Sequence, residues 1–377
     1  MVMRLPDGIS LTPALVEPSG GTAGTLTGTL SKQGDGGVFS GTFDWDEVGI
    51  ISLTAQVTDN NYLGTGNITK LLSHVGRFTP HHFTLDSLVN GELDHACSTG
   101  SFAYSGQSFG YDTLFTPGFT ITARSESGAI TTYYTGLFEK LDADSVSVLQ
   151  INADGTQDGS DGTTPMLITH SQLSKLHTDD GAGEHSYTLG ADTFIYNRDA
   201  NALIGAFDSD IDITIASVTD EDDVTTEFSI GNVLSPTSTN IRYGRISMKN
   251  AYGSELIELE IPATIEIFNN GLSGFTPHNA DTCTTAPTYT VTDVDPTDDL
   301  DATTLTHSIS VNNSGRFTAT LDPPGAGLGG DALVTLDAPS YLQFNHGVSS
   351  DPKPLATGTF GIYSGNPVHI YIQQTYQ

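Results

Sequence analysis

The side chains in this chain that could do chemistry are mostly carboxylates, and they come in groups. Asp208-Ser-Asp-Ile-Asp212 is followed closely by Asp220-Glu-Asp-Asp223. A looser group, Asn152-Ala-Asp-Gly155 with Asp158 and Asp161, precedes them, and Asp293-Val-Asp-Pro-Thr-Asp-Asp-Leu-Asp301 follows. Grouped Asp and Asn oxygens suit Ca2+, a hard cation that takes roughly six to eight oxygen ligands. Asp208, Asp210, Asp220, Asp222 and Asp223 are therefore the candidate metal ligands. The Asp220 group is favoured, because it follows a strand-like run and strand-end loops are where sandwich folds build such sites. The Asn152 group opens like a calcium loop but lacks the closing Glu at EF-hand spacing. The plainer expectation for all these carboxylates is a solvated turn or the outward face of a strand. Asp210 and Asp212, alternating with Ile211 and Ile213, fit the latter.

Catalytic patterns are missing. No Gly-x-Ser-x-Gly string sits between a strand and a helix, as a nucleophile elbow requires. Cys97 stands two residues from His95, with no third group to orient the pair. His170, His177 and His185 do not follow the H-E-x-x-H spacing of a zinc protease, so no zinc site is expected. With 45 acidic residues, any glycosidase-like pair would be an arbitrary choice. Tyr133-Tyr134 reads as one ring in and one out. The two cysteines, Cys97 and Cys283, lie far apart and exclude both a cysteine-framework mini-protein and a zinc ribbon. Spacing alone leaves open whether they form one long-range disulfide or two unrelated buried thiols.

The elements that must position these residues are strands. Ile51 to Thr58, Phe119 to Arg124, Ile211 to Ile215, Ile257 to Ile261 and Val368 to Ile372 alternate apolar and polar residues. That period of two puts one face on a core and the other in water. Gly, Asp, Asn and Pro punctuate the runs. A first strand is expected over Ile9 to Leu15, interrupted by Pro13, and a single short helix over His170 to His177, capped by Thr169. The chain is thus expected to be all-β, in tandem antiparallel sandwiches of Ig-like or jelly-roll-like type joined by long Asp/Gly-rich loops. Composition shifts suggest units at 1–74, 75–240 and 241–377, with Trp45 in the core of the first.

Lys and Arg number 13 against 45 Asp and Glu, a formal net charge of −32. Such a chain lacks the basic footprint needed to neutralise phosphates, which excludes a nucleic-acid binder. It is equally unsuited to electrostatic docking on an anionic membrane. No apolar run is long enough for a membrane helix. The first residues, Met1 to Pro6, carry no apolar core of a signal peptide, so the sequence is expected to be a piece of a longer secreted protein.

Several strings carry a resemblance. They are Phe43 to Ile51, Val75 to Phe83, Phe102 to Gly110, Arg242 to Leu256, Asn279-Ala-Asp-Thr-Cys283, Tyr341 to Phe344 and Ala356 to Asn366. In this order, across nearly the whole chain, they resemble the C-terminal region of MshQ-like proteins, named for biogenesis of the mannose-sensitive haemagglutinin (MSHA) type IV pilus. The resemblance implies a large secreted β-rich protein of the bacterial cell surface, without catalytic residues to carry over. It also implies that Cys97 and Cys283, which stand where the family pattern has cysteines, form a disulfide. Tyr341 departs from the pattern, standing where Trp is usual, and the ending after Ile362 lacks the Trp and Arg expected there. The function expected is non-enzymatic: a stalk or docking module of a pilus-associated adhesive assembly, with pilus or other cell-surface proteins as partners. The alternative is a carbohydrate-binding adhesin module, with glycans as ligands and Ca2+ as cofactor.

Overall fold

The computed structural model describes residues 8–34, 37–58, 62–146, 149–153, 168–171, 174–198, 203–228, 230–312, 314–344 and 352–361. Strands account for 49% of the described residues and helical turns for 5%, which makes the fold all-β and built from sandwich-like sheets rather than a barrel. Among the described residues no helix is long and apolar enough to cross a membrane. The Asn152 to Pro165 loop, apart from its first two residues, and the expected Val368 to Ile372 strand lie outside the described residues.

Near the N-terminus, Gly49–Val57 is the middle strand of an antiparallel sheet between Ile9–Glu17 and Thr69–Phe78. Pro13 stands opposite Leu53 within the Ile9–Glu17 strand without interrupting it. Only an edge strand tolerates this, because proline brings no N–H to the ladder. Trp45 is buried and approaches Phe78, with ring centroids 6.3 Å apart.

The middle of the chain forms a five-stranded sheet in the order Lys175–Gly181, Glu184–Leu189, Gly118–Arg124, His82–Val89, Thr226–Glu227. Gly118–Arg124 lies at its centre and is covered on both faces: Phe119, Ile121 and Ala123 are buried, and so is Thr122 on the other side, where its hydroxyl donates to Asp86. The period-two pattern predicted a wet outer face for this strand. A short polar residue satisfied by a carboxylate can be buried at little cost, so the pattern did not reveal the covering layer. The expected helix is also a strand. Ile168–His170 pairs with Phe194–Tyr196, and Lys175–Gly181 forms a hairpin with Glu184–Leu189 through Gly181-Ala-Gly183, where all three turn residues have positive φ. Ladder pairing along the hairpin outweighs the weak local preference for a helical turn.

The last part is a two-layer sandwich. One sheet holds Gly244–Met248, Leu259–Asn269, Arg316–Leu321 and His307–Val311, and the other Ala251–Gly253, Leu355–Phe360, Gly330–Leu336 and Tyr289–Asp293. Leu259–Asn269 alternates cleanly, with Leu259, Ile261, Ala263 and Ile265 inward. Ile257, expected to begin that strand, precedes it and is exposed.

Three apolar clusters fill the interior. One belongs to the middle of the chain and one to the C-terminal sandwich. The third unites the two parts: Cys97, Phe102 and Tyr104 pack with Ile246, Ala263, Ile265, Phe317, Leu336 and Leu342. The chain crosses between these parts through one residue. Asn240–Arg242 pairs with Phe102–Tyr104, Gly244–Met248 pairs with Leu259–Asn269, and fully buried Tyr243 connects them.

Candidate functional site

This joint holds the most developed polar site among the described residues. Cys97 and Cys283 form a disulfide across 186 residues of sequence, with their Cα atoms 5.5 Å apart. Asp281 anchors the second cysteine. Its Oδ1 accepts the Cys283 and Thr284 backbone N–H groups at 2.9 Å each, and its Oδ2 accepts the Thr284 and Tyr104 hydroxyls at 2.6 Å each. The first three bonds are local, an Asx turn that the Asp-Thr-Cys-Thr order makes easy. The fourth reaches across the joint.

Behind Tyr104 the hydrogen bonds run in one direction. Arginine can only donate, so the Arg242 guanidinium donates to His278 Nε2. The imidazole proton therefore sits on Nδ1, which donates to the Tyr104 oxygen at 2.8 Å, and Tyr104 donates in turn to Asp281. Each group finds a complementary partner. Burial and the neighbouring Arg242 push the His278 imidazole down to about 4. Burial alone would raise the Asp281 carboxyl, but its hydrogen bonds from Thr284, Tyr104 and Cys283 outweigh that and hold it below the usual carboxylate range. Burial first, then Asp281, raises the Tyr104 phenol. Aromatic rings close the site: Arg242 lies 4.6 Å over Phe102, and Tyr341 stacks on Tyr104 at 5.8 Å. Tyr341, standing in place of a Trp, thus still supplies a flat ring. Arg198 adds a second tie, donating to the Gly244 and Gln343 carbonyls at 2.7 and 2.9 Å from beneath the Tyr243 ring.

Gly244 shows how tightly the joint is built. A Cβ there would meet the Tyr104 ring at 2.6 Å, so a side chain would force the two parts apart.

A second buried histidine cluster lies in the middle sheet. His177 and His185 are diagonal neighbours on the hairpin, His177 opposite Tyr187 and His185 opposite Asp179. Glu139 reaches them from the 136–142 loop, with Oε1 3.1 Å from His177 Nε2 and 3.3 Å from His185 Nδ1. Burial and the adjacent Asp179 push the Glu139 carboxyl up to about 7, and burial pushes His185 down to about 4 and His177 in the same direction. No sequence motif marks this group. The available signal was the pair of histidines eight positions apart around a Gly-Ala-Gly turn, and Glu139 comes from a different segment.

The five aspartates proposed as calcium ligands are not gathered. Among the described residues, no group of three clustered ligand atoms includes Asp208, Asp210, Asp220, Asp222 or Asp223. Asp220 is buried, and internal donors occupy its carboxylate: the Asp222 and Val224 N–H groups on Oδ1 and the Tyr134 hydroxyl on Oδ2 at 2.5 Å. Asp222 pairs with Arg77 at 2.6 Å, Asp223 takes the left-handed turn position, and Asp208 accepts from Asn240. Asp210 is an exposed residue just before the Ile211–Ile215 strand, its backbone N–H bonded to the Tyr196 hydroxyl. The Asp220 loop is thus organised by its own hydrogen bonds. Of the tyrosine pair, Tyr134 is buried and Tyr133 is half-buried against the N-terminal sheet region, where Thr22 N–H donates to its hydroxyl.

Fold and site together define a tandem β-sandwich protein whose last two units are locked by a disulfide and a buried polar chain. The family follows from comparison: the model described as DUF6701, third domain, matches residues 47–241, and that described as DUF6701, fourth domain, matches 242–375. The chain belongs to this family, and its two family domains meet within the strand Asn240–Arg242. Membership is consistent with a MshQ-like protein. No curated protein matches the chain. Among solved structures, the crystal structure of the titin domains z1z2 in complex with telethonin matches at 8% identity, covering 75% of this chain and 97% of that one, with a TM-score of 0.18. So loose a superposition bears on nothing further.

Proposed function

We propose that the chain is a non-enzymatic structural module of a bacterial cell-surface assembly of the MSHA-pilus type, acting as a stiff spacer or docking unit in adhesion. The observation that carries this reading is the joint: one buried residue of connection, a disulfide and a saturated polar chain leave little freedom between its two family domains. A module that transmits force or fixes a spacing needs such a joint, whereas independent domains are ordinarily joined by exposed, flexible linkers. The disulfide also suits an oxidising, extracytoplasmic compartment. The excess negative charge keeps densely arrayed copies apart by repulsion.

The test is deletion of the encoding gene in the source bacterium, with pili counted by electron microscopy and adhesion measured in parallel. Loss of pili or adhesion, restored by the wild-type gene and poorly by a Cys97→Ser/Cys283→Ser gene, supports the reading. Normal pilus number and adhesion after deletion overturns it. Reproducible glycan-array binding, abolished by EDTA, would instead favour a calcium-dependent adhesin module.

A further inference from the structure

The Glu139, His177 and His185 cluster has a property that the joint lacks. The facing atoms Glu139 Oε1, His177 Nε2 and His185 Nδ1 are all buried, and none of them takes part in a hydrogen bond. All three lie within 4.8 Å of one another. For His185 the tautomer is fixed by its other face: Nε2 lies 3.1 Å from the Tyr134 carbonyl, which can only accept, so that nitrogen holds the proton. His185 Nδ1 therefore turns a bare lone pair toward the Glu139 oxygen. Two acceptors buried face to face repel unless a proton or a metal cation sits between them.

Neither nearby lysine supplies that charge. Lys140, next to Glu139, extends to Glu221 at 3.7 Å, and Lys175 donates to the Val146 carbonyl at 2.9 Å. Asp179, Asp180 and Asp142 add negative potential around the imidazoles instead. An imidazole held by a carbonyl on one nitrogen and open on the other is the usual arrangement of a metal-binding histidine. A tetrahedral ion with bonds of about 2.0–2.2 Å places neighbouring ligand atoms about 3.3–3.5 Å apart. The separations of 3.3 and 3.1 Å lie at and just below the lower end of this range.

We propose that Glu139, His177 and His185 bind one divalent transition-metal ion, with Zn2+ as the reference ion. Two nitrogens and one oxygen disfavour Ca2+ and Mg2+, which take oxygen ligands. The ion would tie the 136–142 loop to the hairpin Lys175–Leu189. That loop is already held by the Gly136 N–H on Asp179 and the Lys140 N–H on the Tyr134 hydroxyl, so the ligands are preorganised.

The test titrates Zn2+ into the full chain, stripped with a chelator, in competition with a chromophoric chelator. The background carries His81→Asn and His82→Asn, which removes the His81, His82 and Glu227 group. The expected result is one Zn2+ per chain, with affinity falling at least about 100-fold in both Glu139→Gln and His177→Gln. No binding, or binding unchanged in both variants, overturns the proposal. A second readout is independent of whether the variants fold. Co2+ added to the stripped background protein should give the visible ligand-field bands of a low-coordinate site, and their absence also overturns it.

Discussion

Two buried histidine clusters in this molecule use nearly the same residue types and resolve them in opposite ways. At the joint, Arg242, His278, Tyr104 and Asp281 form a chain in which every donor meets an acceptor. In the middle sheet, Glu139, His177 and His185 bring three buried polar atoms together with no hydrogen bond among them. A closed set of hydrogen bonds favours one arrangement of the surrounding elements and needs nothing from outside. An open set is costly in isolation and becomes favourable when a proton or a metal cation is shared within it. The first cluster is therefore read as architecture and the second as a binding site. The clusters also differ in reach: the first joins segments more than 170 residues apart, while two of the three residues in the second share a hairpin.

The comparison is tested most severely at the joint. In Cys97→Ser/Cys283→Ser, loss of the long closed loop should lower the unfolding free energy by up to about 5 kcal/mol in the chain-entropy account. Guanidinium denaturation of the variant checks this, and wild type with its disulfide reduced should behave alike. Asp281→Ala comes next. It leaves the Tyr104 and Thr284 hydroxyls and two backbone N–H groups without their acceptor at a buried site, at a cost of about 3–5 kcal/mol. If Asp281→Ala costs less than about 1 kcal/mol, the polar chain is not what holds the joint.

The joint should also weaken in acid. His278 faces Arg242, Tyr104 and Asp281, and its folded pKa is about 4 against about 6.5 when unfolded. Between those values the unfolded chain binds a proton that the folded chain does not. The His278 contribution is thus complete above about pH 6.5 and declines as pH falls toward 4, by at most about 3 kcal/mol. The Asp281 carboxyl, held low, adds loss in the same direction at still lower pH. Denaturation midpoints for wild type and His278→Gln from pH 7 to 4 check the sign: the variant should lose less stability over that range.

Much of the fold can be read from alternation. Ile51 to Thr58 and Ile211 to Ile215 contain few choices other than half-buried strands, and both are strands. Alternation failed where burial did not require apolar residues, as at Thr122, and where a hairpin partner outweighed local preference, as over Lys175–Gly181. The joint was legible only through the resemblance. Phe102–Tyr104, Arg242–Gly244, Asn279–Cys283 and Tyr341 belong to four separate strings of that match, and the fold brings them into one place. No local rule links Tyr104 to Asp281, because their contact depends on the docking of two sandwiches. The aspartate groups show a related limit of spacing, which brings carboxylates close together in sequence but does not reveal that Asp220 accepts from the N–H groups of its own turn.

The smallest expected effect separates the two clusters most sharply. Glu139→Gln keeps the size and shape of the side chain but replaces one carboxylate oxygen with an amide that donates. With metal removed by a chelator, that amide can point at the bare His185 Nδ1 and supply the missing donor. The stability of Glu139→Gln in chelator should therefore lie within about 0.5 kcal/mol of wild type or exceed it. Adding Zn2+ should raise the melting temperature of wild type, because the ion binds only the folded chain, and should leave the variant where it was. The parallel change Asp281→Asn puts an amide where four donors already converge and should destabilise the protein whether or not metal is present. Differential scanning calorimetry on the four combinations of variant and metal reads both predictions in one experiment. A Glu139→Gln protein that loses as much stability in chelator as Asp281→Asn does would show that Glu139 is held by hydrogen bonds of its own, and the contrast between the clusters would collapse.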